Sequence, residues 1–130
     1  ADDPDTLVRK AIPALLRTIA MTNPSGKQNS FAGHVLPSTM LVECKQEKIP
    51  VSLVNAFVKP IRPDSKGDLV QNSIAGLAQE VKQTSRNFGL PVEKRLWFCV
   101  DRYRDIALES DAVVCETFAD LVEQAEQALK

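Results

Sequence analysis

The chain of 130 residues is 44% hydrophobic and 25% charged, a composition typical of a folded globular protein and unlike that of a disordered or membrane-embedded one. Its formal net charge of -1 argues against a generic basic coat for nucleic acid, although a local basic track is compatible with it because attraction depends on where the cations lie. No apolar run approaches the roughly 20 residues that span a bilayer, and no signal peptide opens the chain. We therefore expect a single domain over residues 1–130 and no membrane partner.

A helix is predicted over residues 5–22, with Asp5 as its N-cap. Pro13 removes a backbone donor, so we expect the helix to kink or restart there. The apolar residues repeat at intervals of three and four and form one broad stripe: Leu7, Val8, Ala11, Ile12, Leu15, Leu16, Ile19 and Ala20.

The segment 22–36 that follows contains the turn formers Pro24, Gly26 and Gly33. Its lone cation, Lys27, has no carboxylate nearby and is flanked by polar side chains: Ser25, Gln28, Asn29 and Ser30. These groups can reach a phosphate or a base edge by hydrogen bonding, and loops between regular elements often carry function. The alternative is a connector that ends the helix and exposes a solvated lysine, and both interpretations stay open at this point.

The strongest strand pattern covers residues 38–45, before a polar turn at 45–48. A short helix is then predicted within residues 51–61, with Ser52 as its N-cap, Pro60 at its end, and its inward-facing side chains being Leu53, Ala56 and Phe57.

A second loop, residues 60–67, carries Arg62 and Lys66 against a single acid, Asp64. A long helix follows from Asp68 to Phe88 and ends at Gly89. Gly76 in its interior predicts a close packing contact. The expected apolar side of this helix consists of Leu69, Ile74, Leu77, Ala78, Val81 and Phe88.

The run 94–101 predicts a strand that is buried on both faces, because its apolar residues are nearly continuous. A charged stretch with a helical turn follows at 101–111, then a short strand at 112–115. Thr117 and Asp120 form a capping-box-like start to a last helix whose inward residues are Leu121, Val122, Ala125 and Leu129. The fold class is thus α+β, sandwich-like, with a sheet of two to four strands. A sheet of this size is only marginally stable by itself. Missing strands, and a start without Met, predict a fragment of a longer chain.

The three cysteines, Cys44, Cys99 and Cys115, lie far apart in the sequence, which is typical of a reducing cytoplasm. Each occurs in an apolar run, so we expect small buried hydrophobic side chains.

No enzymatic function is predicted, and no catalytic residue, metal site or cofactor. Gly26 and Lys27 resemble part of a phosphate-binding P-loop, but Met21 stands where the first glycine is needed and Gln28 where Ser or Thr is needed. Zinc is not expected, since His34 is the only histidine and no cysteines are spaced as ligand pairs.

The remaining hypothesis is binding. If the loops around Lys27 and around Arg62 and Lys66 converge, they form a cationic groove for a nucleic-acid backbone. Contact with the sugar-phosphate backbone is expected rather than recognition of the bases, because the sequence lacks an aromatic platform on which bases could stack. The alternative is a protein-interaction or oligomerisation module without nucleic-acid contact. Unpaired sheet edges favour it, because their backbone groups can pair with a strand of another chain.

The run PSGKQNSFAGHVLPSTMLVECKQEKIPVSLVNAF closely resembles the C-terminal part of the CasC family, the repeated backbone subunit of the type I-E CRISPR Cascade complex. The resemblance covers roughly residues 7–61, and from Asp68 onward it rests on the order of elements. The matching positions are Pro24, Lys27, Gln28, the strand 40–42, Pro50, Leu53, Asn55, Ala56 and Phe57.

The resemblance implies an RRM-like (ferredoxin-like) palm with extra C-terminal helices, and a cytoplasmic, non-enzymatic subunit for antiviral defence. It implies assembly with copies of itself and other Cascade subunits on a CRISPR guide RNA, whose bases stay free to pair with target DNA. The resemblance places Lys27, Gln28, Arg62 and Lys66 on the sugar-phosphate backbone of the RNA, and the same loop adds Ser25, Gly26 and Asn29 to the predicted site. Family members are longer, so the first palm strand and the thumb hairpin are expected to be absent here.

Overall fold

The computed structural model describes residues 3–21, 36–46 and 51–129. Its first helix, α1, is Pro4–Met21. The Asp3 carboxylate accepts a hydrogen bond from the Thr6 amide at 2.7 Å, so Asp3 is the N-cap and the prediction for Asp5 was wrong. The reason is Pro4, which suits the first helical position because it has no N–H to satisfy. The helix also continues through the buried Pro13 and does not restart there.

The sheet has three strands in the order β1-β2-β3, with β1 Thr39–Cys44, β2 Lys94–Cys99 and β3 Val113–Cys115. The central strand, β2, runs antiparallel to β1 and parallel to β3. All three predicted strands are therefore confirmed.

Helices cover both faces of this sheet. On one face α1 and α4 (Phe118–Gln127) pack with Leu96 in a cluster that includes the partly buried Phe98. On the other face α2 (Leu69–Phe88) and α3 (Arg104–Leu108) pack with Trp97 and Cys99. Alternate residues of β2 thus point into separate cores, which confirms its predicted burial on both faces. The architecture is α+β and ferredoxin-like.

Local capping chemistry sets the ends of the later helices. Asp68 caps α2 by accepting from the Gln71 amide at 2.7 Å, and Gly89 ends it with a left-handed φ of 57°. Thr117 caps α4 through a 3.0 Å bond from the Asp120 amide. Before α2, a 3₁₀ helix at Val54–Phe57 follows Ser52, whose hydroxyl accepts from the Val54 amide. The predicted caps Asp68, Gly89 and Thr117 are confirmed. The prediction of Ser52 as an N-cap was wrong, because the 3₁₀ helix begins directly after Leu53, which makes no side-chain capping bond.

The predicted inward faces are only partly buried. Four residues predicted to face the core are more than a third exposed: Phe57, Leu69, Phe88 and Leu129. On α1, Leu16 and Ala20 are buried, but the other side of the predicted stripe is exposed at Leu7, Val8, Leu15 and Ile19. These predictions were wrong because helix periodicity identifies apolar side chains and does not say whether a neighbouring layer reaches far enough to cover them.

The three cysteines are free thiols. Cys99 and Cys115 are buried as predicted, whereas Cys44 is half-buried. Burial raises the pKa of all three thiols, that of Cys115 to about 11. Within the described ranges, no helix is long and apolar enough to cross a membrane, and no cluster of three metal-ligating side chains occurs.

Candidate functional site

The loop that carries Arg62 and Lys66 is organised around Asp64. The Asp64 carboxylate accepts hydrogen bonds from the amides of Lys66 at 2.9 Å and Gly67 at 3.0 Å. The Asp64 amide donates to the Gly67 carbonyl at 3.0 Å. The bond from the Lys66 amide is the main reason that the pKa of the Asp64 carboxyl is lowered. The turn is therefore closed from both its backbone and its side chain.

Asn72 attaches this turn to the first part of α2. Its side-chain amide donates to the Arg62 carbonyl at 2.9 Å and reaches the Gly67 carbonyl at 3.4 Å. A Cβ atom at Gly67 would lie 2.7 Å from the Asn72 side-chain oxygen and 2.8 Å from that of Gln71, so a larger residue here would displace the ends of these two side chains. At Gly76, a Cβ would lie 3.4 Å from the Ile61 side chain, an ordinary van der Waals distance, so the close packing contact predicted there is not confirmed.

Asp68 connects the loop to a second part of the fold. One carboxylate oxygen caps α2, and the other accepts a 2.9 Å bond from the Tyr103 hydroxyl. Tyr103 is itself buried in the 3₁₀ helix Asp101–Tyr103 that follows β2. The hydrogen bond from the Gln71 amide is the largest cause that lowers the pKa of the Asp68 carboxyl. The backbone on which the two cations sit is thus held by α2 and, through Tyr103, by the segment after β2.

Arg62 and Lys66 are both exposed, and neither has an ion pair within the described part of the chain. Asp64, two residues from each of them, directs one oxygen into backbone hydrogen bonds. The two cations are therefore accessible to an anionic group such as a phosphate.

The other half of the predicted site lies outside the described residues: Ser25, Gly26, Lys27, Gln28 and Asn29. His34 lies outside them as well. The convergence of the two loops therefore stays a prediction.

The structure also contains a cleft that sequence reasoning missed. It has a volume of about 660 Å³ and lies where β2 and β3 end, bordered among others by Phe98, Arg102, Glu116 and Phe118. Arg104 holds its rim together by donating to the Glu116 carbonyl at 2.8 Å and to the Asp101 carboxylate. Most of the lining comes from two separate segments, residues 98–103 and 116–118, which meet because β2 and β3 are parallel and both end at this edge of the sheet.

The chain matches one protein family and is similar in fold to a solved structure. The model of the family Cas_CT1975, described as CT1975-like protein, matches residues 2–124. Among solved structures, a chain of a "CRISPR RNA-guided surveillance complex" is similar with a TM-score of 0.78 and 20% sequence identity. The alignment covers 96% of this chain and 46% of that one, so the chain spans less than half the length of the solved relative. No curated protein matches the sequence. At 20% sequence identity, the structural similarity shows that the two chains share a fold.

Proposed function

The chain belongs to the Cas_CT1975 family of CT1975-like proteins, and we propose from this premise that it is a guide-RNA-binding backbone subunit of a type I-E Cascade surveillance complex. The observation that carries the proposal is the family match, because it extends over residues 2–124. The similar solved chain, which belongs to an RNA-guided surveillance complex, supports the same role.

In this proposal the protein is a non-enzymatic cytoplasmic component of antiviral defence. Its partners are the CRISPR guide RNA, further copies of itself, other Cascade subunits and, in the assembled complex, target DNA. Arg62 and Lys66 contact phosphates from a turn that Asp64 and Asn72 hold in place. Lys27 and Gln28, with the neighbouring polar residues of their loop, contact the sugar-phosphate backbone. Contacts of this kind position the RNA and leave its base edges free to pair.

The test is a titration of single-stranded RNA at several salt concentrations, with the wild type, Lys27→Gln and the double variant Arg62→Gln/Lys66→Gln. Each phosphate contact that is lost should lower the slope of log affinity against log salt by roughly 0.7 for a single strand. The matched control is Lys82→Gln/Arg86→Gln, which removes two exposed cations from the C-terminal half of α2 and should leave the slope nearly unchanged.

Unchanged slopes for both the Lys27 and the Arg62/Lys66 variants would refute the assigned contacts. Equal losses in the Lys82/Arg86 control would show that binding depends on overall charge and on no particular loop.

A second candidate function is a protein-interaction module, and the structure contains one observation that favours it. Within the described residues β1 pairs on one side only, with β2. Light scattering separates the two functions, because self-association without affinity for RNA favours the interaction module, whereas salt-dependent RNA binding favours the guide-RNA subunit.

A further inference from the structure

The Tyr103 hydroxyl reaches the end of the cation-bearing turn from a distant part of the chain. It donates a 2.9 Å hydrogen bond to one carboxylate oxygen of Asp68, which is 35 residues away in sequence. The other oxygen of Asp68 accepts from the Gln71 amide at 2.7 Å and caps α2. Both oxygens of this carboxylate are therefore occupied, one by its own helix and one by the segment that follows β2.

The turn and the first part of α2 form one hydrogen-bonded unit around Asp68. Asp68 directly follows Gly67, whose carbonyl accepts from the Asp64 amide at 3.0 Å. Asn72, one helical turn further along α2, donates from its backbone amide to the Asp68 carbonyl at 3.0 Å. Its side chain donates to the Arg62 carbonyl at 2.9 Å. A shift of Asp68 is therefore transmitted to the backbone that carries the two cations.

At its other end Tyr103 is held by the sheet. It is only 8% exposed and belongs to the buried cluster that contains Ile74 and Trp97. Its amide donates to the Val100 carbonyl at 3.0 Å, and the Val100 amide donates to the Ser38 carbonyl, also at 3.0 Å. Because side chains in a close-packed core move little, the hydroxyl of this ring is a fixed point to which Asp68 is attached.

We propose that Tyr103 is a positioning residue for the phosphate contacts of Arg62 and Lys66: by holding Asp68, its hydroxyl fixes where the turn presents these two cations. The inference rests on the proposed function and deepens it, because it adds a buried residue that acts on the RNA through the turn. A turn that is ordered before RNA binds loses less conformational entropy on binding.

Tyr103→Phe removes only the hydroxyl. Asp68 is exposed, so water can take the place of the lost donor, and we expect the variant to fold. In a titration of single-stranded RNA, the complete loss of one phosphate contact lowers affinity roughly fivefold at about 0.1 M salt. Tyr103→Phe loosens two such contacts without removing either, so we expect affinity to fall by about two- to fivefold.

The matched control is Thr117→Val. It likewise removes one hydroxyl that supports a helix cap, that of α4, on the opposite face of the sheet. It should leave the affinity for RNA unchanged. Thermal unfolding of both variants shows whether each is folded at the temperature of the titration.

A double-mutant cycle separates positioning from a general loss of stability. In the Arg62→Gln/Lys66→Gln background, Tyr103→Phe should have no further effect on the affinity for RNA, because the cations that it positions are gone. A merely structural role would lower the affinity by the same factor in both backgrounds.

Amide hydrogen exchange reports on the same link in the absence of RNA. The amides of Lys66 and Gly67 donate to the Asp64 carboxylate, so their exchange rates measure how firmly the turn is held. These amides should exchange at least about twofold faster in Tyr103→Phe than in the wild type, and at the wild-type rate in Thr117→Val.

Three results would overturn the proposal: unchanged RNA affinity in Tyr103→Phe, an equal loss of affinity in both backgrounds, or unchanged exchange at Lys66 and Gly67. A wild type that does not bind RNA at all refutes the proposed function, and with it the contacts that Tyr103 is proposed to position. The two failures are distinguishable, because the first three results leave RNA binding by the wild type intact.

Discussion

Thr39→Val tests the hydrogen-bond network that fixes Trp97 in the core. The Thr39 hydroxyl accepts from the Trp97 indole N–H at 2.6 Å and donates to the Phe98 carbonyl at 2.9 Å. It also lies 3.1 Å from the Cys99 sulfur. Trp97 is completely buried, so its N–H has no water to replace a lost acceptor.

Valine has nearly the volume of threonine, so the substitution removes the acceptor and creates almost no cavity. A buried donor left without a partner costs about 1–3 kcal/mol, and we expect the free energy of unfolding to fall by about 2 kcal/mol. That is a large share of the 5–15 kcal/mol typical of a small domain. Thr39→Ser keeps the hydroxyl, removes one methyl group, and should cost about 1 kcal/mol or less.

Urea unfolding provides the assay, because Trp97 is the only tryptophan in the chain and its fluorescence reports on the perturbed site. With a urea dependence of about 1–3 kcal/mol per molar, Thr39→Val should shift the midpoint down by roughly 1 M. The reasoning would be refuted if Val were as stable as the wild type, or if Ser were destabilised as much as Val.

Three further predictions concern separate parts of the fold. Gly89→Ala places a Cβ on a left-handed residue with φ of 57° and should destabilise by about 1 kcal/mol, with Gly89→Asn costing less in the same thermal unfolding measurement. Burial raises the pKa of the Cys115 thiol from 9.0 to about 11. The contribution of this thiol to the free energy of unfolding is therefore complete below pH 9 and is lost as the pH rises through about 11. Cys115→Ala should consequently lose less stability than the wild type as the pH is raised over this range. In Gly67→Ala the added Cβ would displace the ends of the Asn72 and Gln71 side chains, so RNA binding should weaken while circular dichroism stays unchanged. Equal binding by wild type and variant would contradict a role for the loop geometry.

Local chemistry explains why much of the fold was predictable. The bounds of α2 follow from Asp68 and Gly89, because a capping carboxylate and a left-handed glycine act on groups within a few residues of themselves. The exception at α1 has the same kind of cause. Asp3 and Asp5 are both competent N-caps, and Pro4 between them favours the earlier one.

The candidate site was predictable to a smaller extent. Arg62 and Lys66 were identified from a loop with more cations than acids, and both are exposed in the structure. Their anchoring by Asn72 and Tyr103 was not predicted, since Tyr103 is 35 residues from its partner Asp68. The cleft at the end of β2 was missed for the same reason, because Phe98 and Phe118 meet only when the strands pair.

The amino-acid sequence alone was therefore sufficient for element types, most caps and the fold class, since periodicity and capping act over short distances along the chain. The burial of Leu16 and the exposure of Leu15 next to it depend on how far α4 extends across α1. The pairing of β1 with β2, and not with β3, depends likewise on which strands meet in space. Both are consequences of packing between segments that are distant in sequence. The local pattern of one segment does not specify which other segment will pack against it.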